Sequence, residues 1–317
     1  MSAPVEITKS SAIPFVGAFN RARLGFPRHF FQSDGRLSSD LMCAAVFREL
    51  RKRGSRGIAI ATRHHELFLG NPDVDKIIYH RQPRIDHWLR HGLPLVQFNQ
   101  SAYDPSRDAD EAPKEHVLIE MCQLANITGK VELRPYLFLA PEEFAAGRMG
   151  NNQVVMQSSN LTSPNPMRNR EWYPDRFQEL CARIRDDVTV VQIGAPSDAK
   201  LEGAIDMRGK TSLRQAAAIL AQSLVFVGLA GFLMHLARAV DCRSVIVYGG
   251  REKPSQTGYV ANKNLYTQVL CAPCWLRNPC DFDRKCMSMI TVDQVIAATA
   301  EQISRYGTLL EVQTAVL

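Results

Sequence analysis

The sequence predicts an α/β protein of two doubly wound halves, each built around a parallel sheet. Its 317 residues suit two domains, at roughly 150 residues per domain. Short apolar runs alternate with amphipathic helical stretches through both halves, which is typical of parallel sheets covered by helices. A proline-containing connection at 135–150 separates the two series. We therefore expect one domain over 1–150 and a second over 151–317.

The first half contains three short apolar runs that we interpret as strands joined by helices. The run at 57–61 is apolar throughout, and Gly54 ends the helix before it. The expected elements are strands at 29–32, 57–61 and 76–79, helices at 41–52 and 115–125, and a polar, proline-containing loop at 100–114.

The second half repeats this alternation. We expect strands at 154–157, 188–193, 224–227 and 244–248, with helices at 174–185, 211–222, 231–240 and 291–306. Residues 215–237 carry no formal charge and are long enough to span a membrane, but Gln222, Gly228 and His235 favour a buried helix, a strand and a second helix. Ligands of such sheets bind outside the carboxyl ends of the strands, so we expect a site in a cleft between the two domains.

Composition and charge narrow the function classes. Hydrophobic residues make up 45% of the chain and charged residues 22%, which excludes a mainly disordered chain, a collagen-like chain and a small disulfide scaffold. The net charge of +6 suits an anionic ligand or an acidic membrane surface. There is no basic stripe of the kind that binds nucleic acid. The first residues lack an apolar signal segment, so we expect a cytoplasmic protein, with peripheral contact with the membrane through arginines of the first half.

Seven segments, in order along the chain, resemble glycosyltransferase family 9, the family of the lipopolysaccharide heptosyltransferases. They are NPDVDKII at 71–78, EWYPDRFQEL at 171–180, DMRGKTSL at 206–213, VG through MHLA at 227–237, VIVYGG at 245–250, TGY at 257–259 and ITVDQV at 290–295. The resemblance implies a GT-B fold, with two Rossmann-like domains facing a central cleft. It also implies an inverting transfer of heptose or a related sugar from a nucleotide sugar, with no catalytic metal.

The resemblance further implies how the two halves divide the work. The first would bind the acceptor (a surface glycan, a lipid-linked acceptor or another glycan), the second would bind the nucleotide-sugar donor, and the final helix would pack back on the first domain. The family has acidic residues where this chain has Ser39 and Ala230. A catalytically degenerate nucleotide-sugar-binding protein of the same fold is therefore the alternative.

An inverting transfer needs a base near the acceptor hydroxyl and a sink for charge on the departing diphosphate. Asp40 is the candidate base, because it lies one residue beyond the position at which the family has its aspartate, and Asp34 is another carboxylate in the same loop. Capping of a helix that begins at Leu41 is the alternative role of Asp40. The candidate donor-binding residues are Ser158 and Ser159 after a strand, Arg170 where the family has lysine, and Gly231 and His235 at the start of a helix. A solvated loop arginine and a hydrogen-bonded core histidine are the alternatives for Arg170 and His235.

Four of the eight cysteines fall within 16 residues. Cys271, Cys274, Cys280 and Cys286 follow the pattern C-x2-C-x5-C-x5-C, which supplies four soft ligands for a structural Zn or Fe ion. A similar segment occurs in part of family 9, in relatives that glycosylate autotransporters and hold iron structurally. Free reduced thiols and disulfides are the alternatives.

Overall fold

The computed structural model describes residues 27–79, 95–98, 102–161 and 165–314, with side chains up to residue 305. The strands are β1 (His29–Ser33), β2 (Ile58–Thr62), β3 (Lys76–Tyr79), β4 (Leu95–Phe98), β5 (Tyr103–Asp104), β6 (Ala109–Asp110), β7 (Val154–Met156), β8 (Val190–Gln192), β9 (Ile205–Asp206), β10 (Val225–Leu229), β11 (Ser244–Gly249) and β12 (Lys263–Tyr266). The helices are α1 (Leu37–Lys52), α2 (Val117–Leu124), α3 (Pro141–Ala146), α4 (Pro174–Ile184), α5 (Leu213–Ala221), α6 (Phe232–Ala239), α7 (Pro254–Thr257), α8 (Lys285–Ser288) and α9 (Val292–Thr314), with short 3-10 turns at His65–Phe68 and Arg168–Arg170.

The first half is a four-stranded parallel sheet in the order β3-β2-β1-β4. Strand β1 is central, and its Phe31 pairs with Ile60 of β2 and with Val96 of β4. Phe30 and Phe31 point to opposite faces, and both are fully buried. The carboxyl ends of β1 and β2 therefore lie side by side at one edge of the sheet.

The second half is a six-stranded parallel sheet in the order β12-β11-β10-β7-β8-β9. Its inner strands β7, β10 and β11 are buried on both faces, as expected for a sheet covered by helices on both sides. Val154 and Met156 join the core beneath α4 and α9, whereas Val155 joins the core beneath α5 and α6. The α/β class with two parallel sheets is confirmed.

One hydrophobic cluster spans the two halves. Phe31 and Leu41 of the first half belong to the same buried cluster as Leu220 and Leu236 of the second, and α1 packs against α6. The division at residue 150 remains a prediction, and α3, which precedes that point, packs on α5 of the second half. The main contacts of α9 are with α4, β10, β11 and β12 of the second half, and the packing of this helix against the first domain remains a prediction.

Several local expectations need correction. Helix α1 begins at Leu37, not at Leu41, so Asp40 does not cap it but lies within its first turn. The expected loop at 100–114 contains the antiparallel β5–β6 hairpin. The uncharged segment 215–237 forms α5, β10 and α6 as predicted, and among the described residues no helix is long and apolar enough to cross a membrane.

Candidate functional site

Asp40 lies at the centre of a buried polar cluster at the carboxyl ends of β1 and β2. Its carboxylate is 1% exposed and accepts a hydrogen bond from the hydroxyl of Ser33, the last residue of β1. The hydroxyl of Thr62, the last residue of β2, donates to Asp40 Oδ2 over 2.5 Å. His64 Nδ1 lies 2.7 Å from the same oxygen. We call Ser33, Asp40, Thr62 and His64 the Asp40 cluster.

Only one member of the Asp40 cluster is substantially open to solvent. The His64 side chain is 23% exposed, whereas Asp40 is buried beneath it. The sequence indicated Asp40 but not the other three residues. Ser33 and Thr62 each end a strand, and the adjacency of β1 and β2 brings them together; the only local signal was a polar Thr62-x-His64 pair after a buried strand.

The two serines proposed for the donor have different surroundings. Ser158 is fully buried; it donates to Ala199 O over 2.8 Å and accepts from Gln192 Nε2 over 3.0 Å, so its hydroxyl joins two loops instead of facing a cavity. Ser159 accepts from Leu161 N over 3.1 Å and lines a cavity of about 290 Å³.

This cavity, which we call the Ser159 pocket, opens at the carboxyl ends of β7 and β8. Polar and charged residues line much of it: Ser159, Arg168, Glu171, Ser197, Asp198 and Arg284. Glu171 Oε1 accepts from Asn160 N over 2.7 Å. Burial raises the pKa of Glu171 to about 7, and the carboxylate of Asp198 adds to this shift. The pocket thus holds a carboxyl group that changes charge near neutral pH.

Arg170 is tied to a buried carboxylate instead of being freely solvated. Its Nε lies 2.5 Å from Glu252 Oε1, and its side chain is 23% exposed while that of Glu252 is 1% exposed. Within the described chain, no hydrogen bond engages its two terminal nitrogens. Burial opposes the charge of Glu252, but Arg170 and Arg251 hold its pKa below the ordinary value. Glu252 therefore fixes one side of the guanidinium and leaves the other available.

A series of ion pairs connects Glu252 to the β5–β6 hairpin. Arg251, which is fully buried, pairs with Asp110 of β6 and lies 3.4 Å from Glu252. Arg277 reaches Asp110 as well, with 2.5 Å between Nη2 and Oδ1. Arg251 consequently links the two halves through Asp110.

Gly231 and His235 both lie at the start of α6, as predicted. Gly231 is the N-cap residue, and a Cβ there would meet Asn160 Nδ2 at 3.1 Å, so the backbone approaches the loop after β7 closely. His235 is 6% exposed, and its Nδ1 lies 2.6 Å from the hydroxyl of Tyr259. Burial, assisted by His116 and Arg170, lowers the pKa of His235 to about 3. The ring is neutral and cannot supply a positive charge to a phosphate.

The four clustered cysteines lie around a single cavity. Cys271, Cys274, Cys280 and Cys286 line one cavity of about 50 Å³. Burial raises the pKa of Cys274 and of Cys286, and nearby thiols contribute. All eight cysteines are free, so no disulfide forms. In the part of the chain that the structure describes, no three histidine, cysteine or acidic side chains are grouped to hold a metal, and the predicted Zn or Fe ion is not confirmed.

The basic run of α1 is largely neutralised. Each of its four cations lies near a carboxylate: Arg48 near Asp73, Arg51 near Asp75, Lys52 near Glu49 and Glu132, and Arg53 near Glu49. Five further arginines of the first half lie outside the described residues (Arg21, Arg23, Arg81, Arg84 and Arg90), and Arg28 directly precedes β1.

Comparison with known proteins agrees with this architecture. Residues 154–282 match the family model for glycosyltransferase family 9 (heptosyltransferase). No curated protein sequence matches the chain. The glycosyl transferase family 9 protein from Veillonella parvula DSM 2008 has a TM-score of 0.65 at 12% identity, over 87% of this chain and 97% of its own.

Two structures from Escherichia coli are similarly close. The ADP-heptose lps heptosyltransferase II has a TM-score of 0.65 at 15% identity, over 87% of this chain and 99% of its own. The iron-containing dodecameric glycosyltransferase TibC, from enterotoxigenic strain H10407, has a TM-score of 0.66 at 16% identity, over 87% of this chain and 76% of its own. At such identities the likeness establishes the fold, and the family match lies in the half that carries the Ser159 pocket. Residues 154–282 therefore match the model of glycosyltransferase family 9, and the chain has the GT-B fold of the solved structures that it resembles.

Proposed function

We propose that the chain is an inverting, metal-independent glycosyltransferase that moves heptose or a related sugar from a nucleotide sugar to a surface-glycan, lipid-linked or other acceptor. The observation that carries the proposal is the pair of polar sites at the carboxyl ends of the two sheets. The Asp40 cluster offers a base, and the Ser159 pocket with Arg170 and the start of α6 offers donor contacts. The similarity in fold to an ADP-heptose enzyme supports heptose as the sugar.

In this proposal the donor half stabilises the leaving diphosphate. The free terminal nitrogens of Arg170 can bind phosphate in a two-point contact, held in place by Glu252. Backbone N–H groups after Gly231 add the partial positive charge of a helix N-terminus. His235 contributes a neutral contact. A volume of about 290 Å³ suits part of a nucleotide in the Ser159 pocket.

A thermal-shift panel of ADP-heptose and of GDP-, UDP- and dTDP-linked sugars tests donor binding. A donor that binds only the folded protein, at 100 times its dissociation constant, adds about 2.7 kcal/mol of stability. A shift with one nucleotide identifies the base, and release of nucleotide from that donor then tests turnover. Binding without turnover supports the degenerate binding protein, for which Ser39 and Ala230 are the motive. The absence of any shift contradicts the donor assignment.

We also propose a structural metal ion and a cellular location. A structural Zn or Fe ion is supported only by the shared cavity of the four thiols. Metal analysis of the purified protein tests it: we expect about one equivalent of metal, which a Cys271→Ser/Cys274→Ser variant should lose together with part of its stability. A purified protein without metal contradicts the proposal.

Cytoplasmic residence with peripheral contact with an acidic membrane is supported by the net charge of +6. Because the α1 run is neutralised, removal of arginines at positions 21, 23, 81, 84 and 90 should weaken binding to acidic liposomes; unchanged binding contradicts this.

A further inference from the structure

We infer that His64 is the group that takes the proton from the acceptor hydroxyl, and that Asp40 is a positioning residue that orients it. This inference rests on the proposed function and specifies its acceptor site. It concerns a histidine for which neither the motifs nor the family match suggests a role. The argument depends on how the hydrogen bonds of the Asp40 cluster are directed and on which of its atoms is open.

Asp40 is poorly placed to meet an acceptor itself. Its carboxylate is 1% exposed, and both oxygens are engaged: Oδ1 by Ser33 and Oδ2 by Thr62 and His64. An acceptor hydroxyl would have to displace a bond that is already formed inside the protein. A buried carboxylate with three donors is well suited to hold a neighbouring group, and poorly suited to contact a substrate directly.

The two hydroxyls of the cluster have their hydrogens committed to Asp40. Ser33 Oγ already accepts a bond from Gly35 N over 3.1 Å, and Thr62 Oγ1 accepts one from His64 N over 2.8 Å. Each hydroxyl therefore receives from a backbone N–H group and donates to the carboxylate. Neither can rotate to donate elsewhere without leaving Asp40 short of a partner.

This arrangement fixes the tautomer of His64. A carboxylate can only accept, so the contact of 2.7 Å requires that Nδ1 of the imidazole carries the hydrogen. The lone pair of the neutral ring then lies on Nε2. Among the described residues, Nε2 has no hydrogen-bond partner, and the side chain is 23% exposed. His64 thus presents an unoccupied basic nitrogen next to a buried carboxylate.

The location of His64 suits a group that faces an acceptor. It follows β2 by two residues, at the edge where parallel sheets bind ligands. In the proposed step, the O–H bond of the acceptor breaks and its proton moves to Nε2, while the oxygen attacks the anomeric carbon. The bond from that carbon to the nucleoside diphosphate breaks, and its electron pair leaves with the diphosphate. The Asp40 carboxylate stabilises the resulting imidazolium through Nδ1–H, and water later removes the added proton.

The test compares His64→Gln with His65→Gln. His65 is the next residue, is 38% exposed and contacts the Tyr79 ring at 4.7 Å between centroids, so it is a matched control outside the cluster. The assay is release of nucleoside diphosphate from the nucleotide sugar that binds, with water as the acceptor. We expect His64→Gln to lower kcat by about 100-fold or more while the donor KM changes less than about threefold. His65→Gln should retain wild-type kcat, and added imidazole should partly restore a His64→Ala variant.

A second measurement does not depend on turnover. Nitrogen-15 NMR of the imidazole should find the Nδ1–H tautomer of His64 in the wild-type protein and the Nε2–H tautomer in Asp40→Asn, whose amide can donate to Nδ1. A wild-type Nε2–H tautomer, or a His64→Gln variant as fast as the wild type, overturns the inference alone. A wild-type protein that binds donors but turns none over overturns the proposed function as well.

Discussion

The two strand edges of this protein hold ionisable side chains in opposite ways. In the first half, the Asp40 cluster directs three donors to one carboxylate and leaves His64 partly open. In the second half, the buried carboxylate of Glu252 pairs with Arg170, an arginine that the sequence would make available to a ligand, and with Arg251, which also pairs with Asp110 of the first half. The comparison shows that the type of a residue makes a functional role possible, whereas its existing contacts within the protein determine whether its side chain is available to bind a ligand.

The largest expected effect comes from removing a charge in the second half. Glu252→Gln leaves Arg170 and the fully buried Arg251 short of their shared counter-charge. Because an unpaired buried charge is costly, we expect the free energy of unfolding to fall by about 3–5 kcal/mol in urea titrations. Glu202→Gln is the control, since Glu202 pairs with Lys200 on an exposed surface and its loss should cost less than about 1 kcal/mol. Equal decreases in the free energy of unfolding of the two variants would show that the buried ion pair contributes no more to stability than the exposed one.

Glu171 in the Ser159 pocket should make the free energy of unfolding depend on pH. The folded pKa of Glu171 is about 7, above the unfolded value near 4.5, so protonation favours the folded state. Its contribution is fully present below about pH 4.5 and is lost as pH rises through 7, which amounts to about 3 kcal/mol at 1.36 kcal/mol per pKa unit. Glu171→Gln should therefore be increasingly more stable than the wild type between pH 5 and 8.

Urea unfolding of both proteins across that pH range measures the difference. Glu179→Gln on the exposed face of α4 is the matched control, and its stability should track that of the wild type. A constant difference between Glu171→Gln and the wild type would mean that Glu171 is already ionised in the folded protein at pH 5.

The smallest expected effect is a change in donor affinity, which depends on the terminal nitrogens of Arg170. Lysine keeps the charge but loses the two-point contact, so Arg170→Lys should raise the dissociation constant of the bound donor about tenfold, or about 1.4 kcal/mol. Arg183→Lys, on the far surface where Arg183 pairs with Asp293, should leave it unchanged. Titration calorimetry with the donor found in the thermal-shift panel makes the measurement. Identical affinities in the two variants would place Arg170 among structural residues only.

Local pattern was enough to predict the alternation of strands and helices and the uncharged helix–strand–helix at 215–237. It also indicated Asp40 as a site residue, but with the wrong local role, because the apolar pattern did not reveal that α1 begins a turn earlier, at Leu37. The edge strands β4 and β12 were missed since they are short and only partly buried.

Partners distant in sequence were beyond such reasoning. Arg170 and Glu252 are 82 residues apart, and Arg251 and Asp110 are 141 residues apart. The pairing of Arg251 with Asp110 depends on the docking of the β5–β6 hairpin against the cysteine-rich segment, where Ala109 bridges to Leu276. The hydrophobic periodicity of a single segment cannot reveal which distant residues will pair. For the same reason, the spacing of the four cysteines predicted that they meet but could not set their geometry.

The most direct test of the central claim is the rate of nucleotide release from the bound donor by the wild-type protein and by Asp40→Asn. The account predicts turnover by the wild type, the same donor affinity in both proteins, and a kcat at least about 100-fold lower in the variant. A variant that turns over donor as fast as the wild type would contradict the assignment of the base to the Asp40 cluster. A wild-type protein without turnover would contradict glycosyl transfer itself.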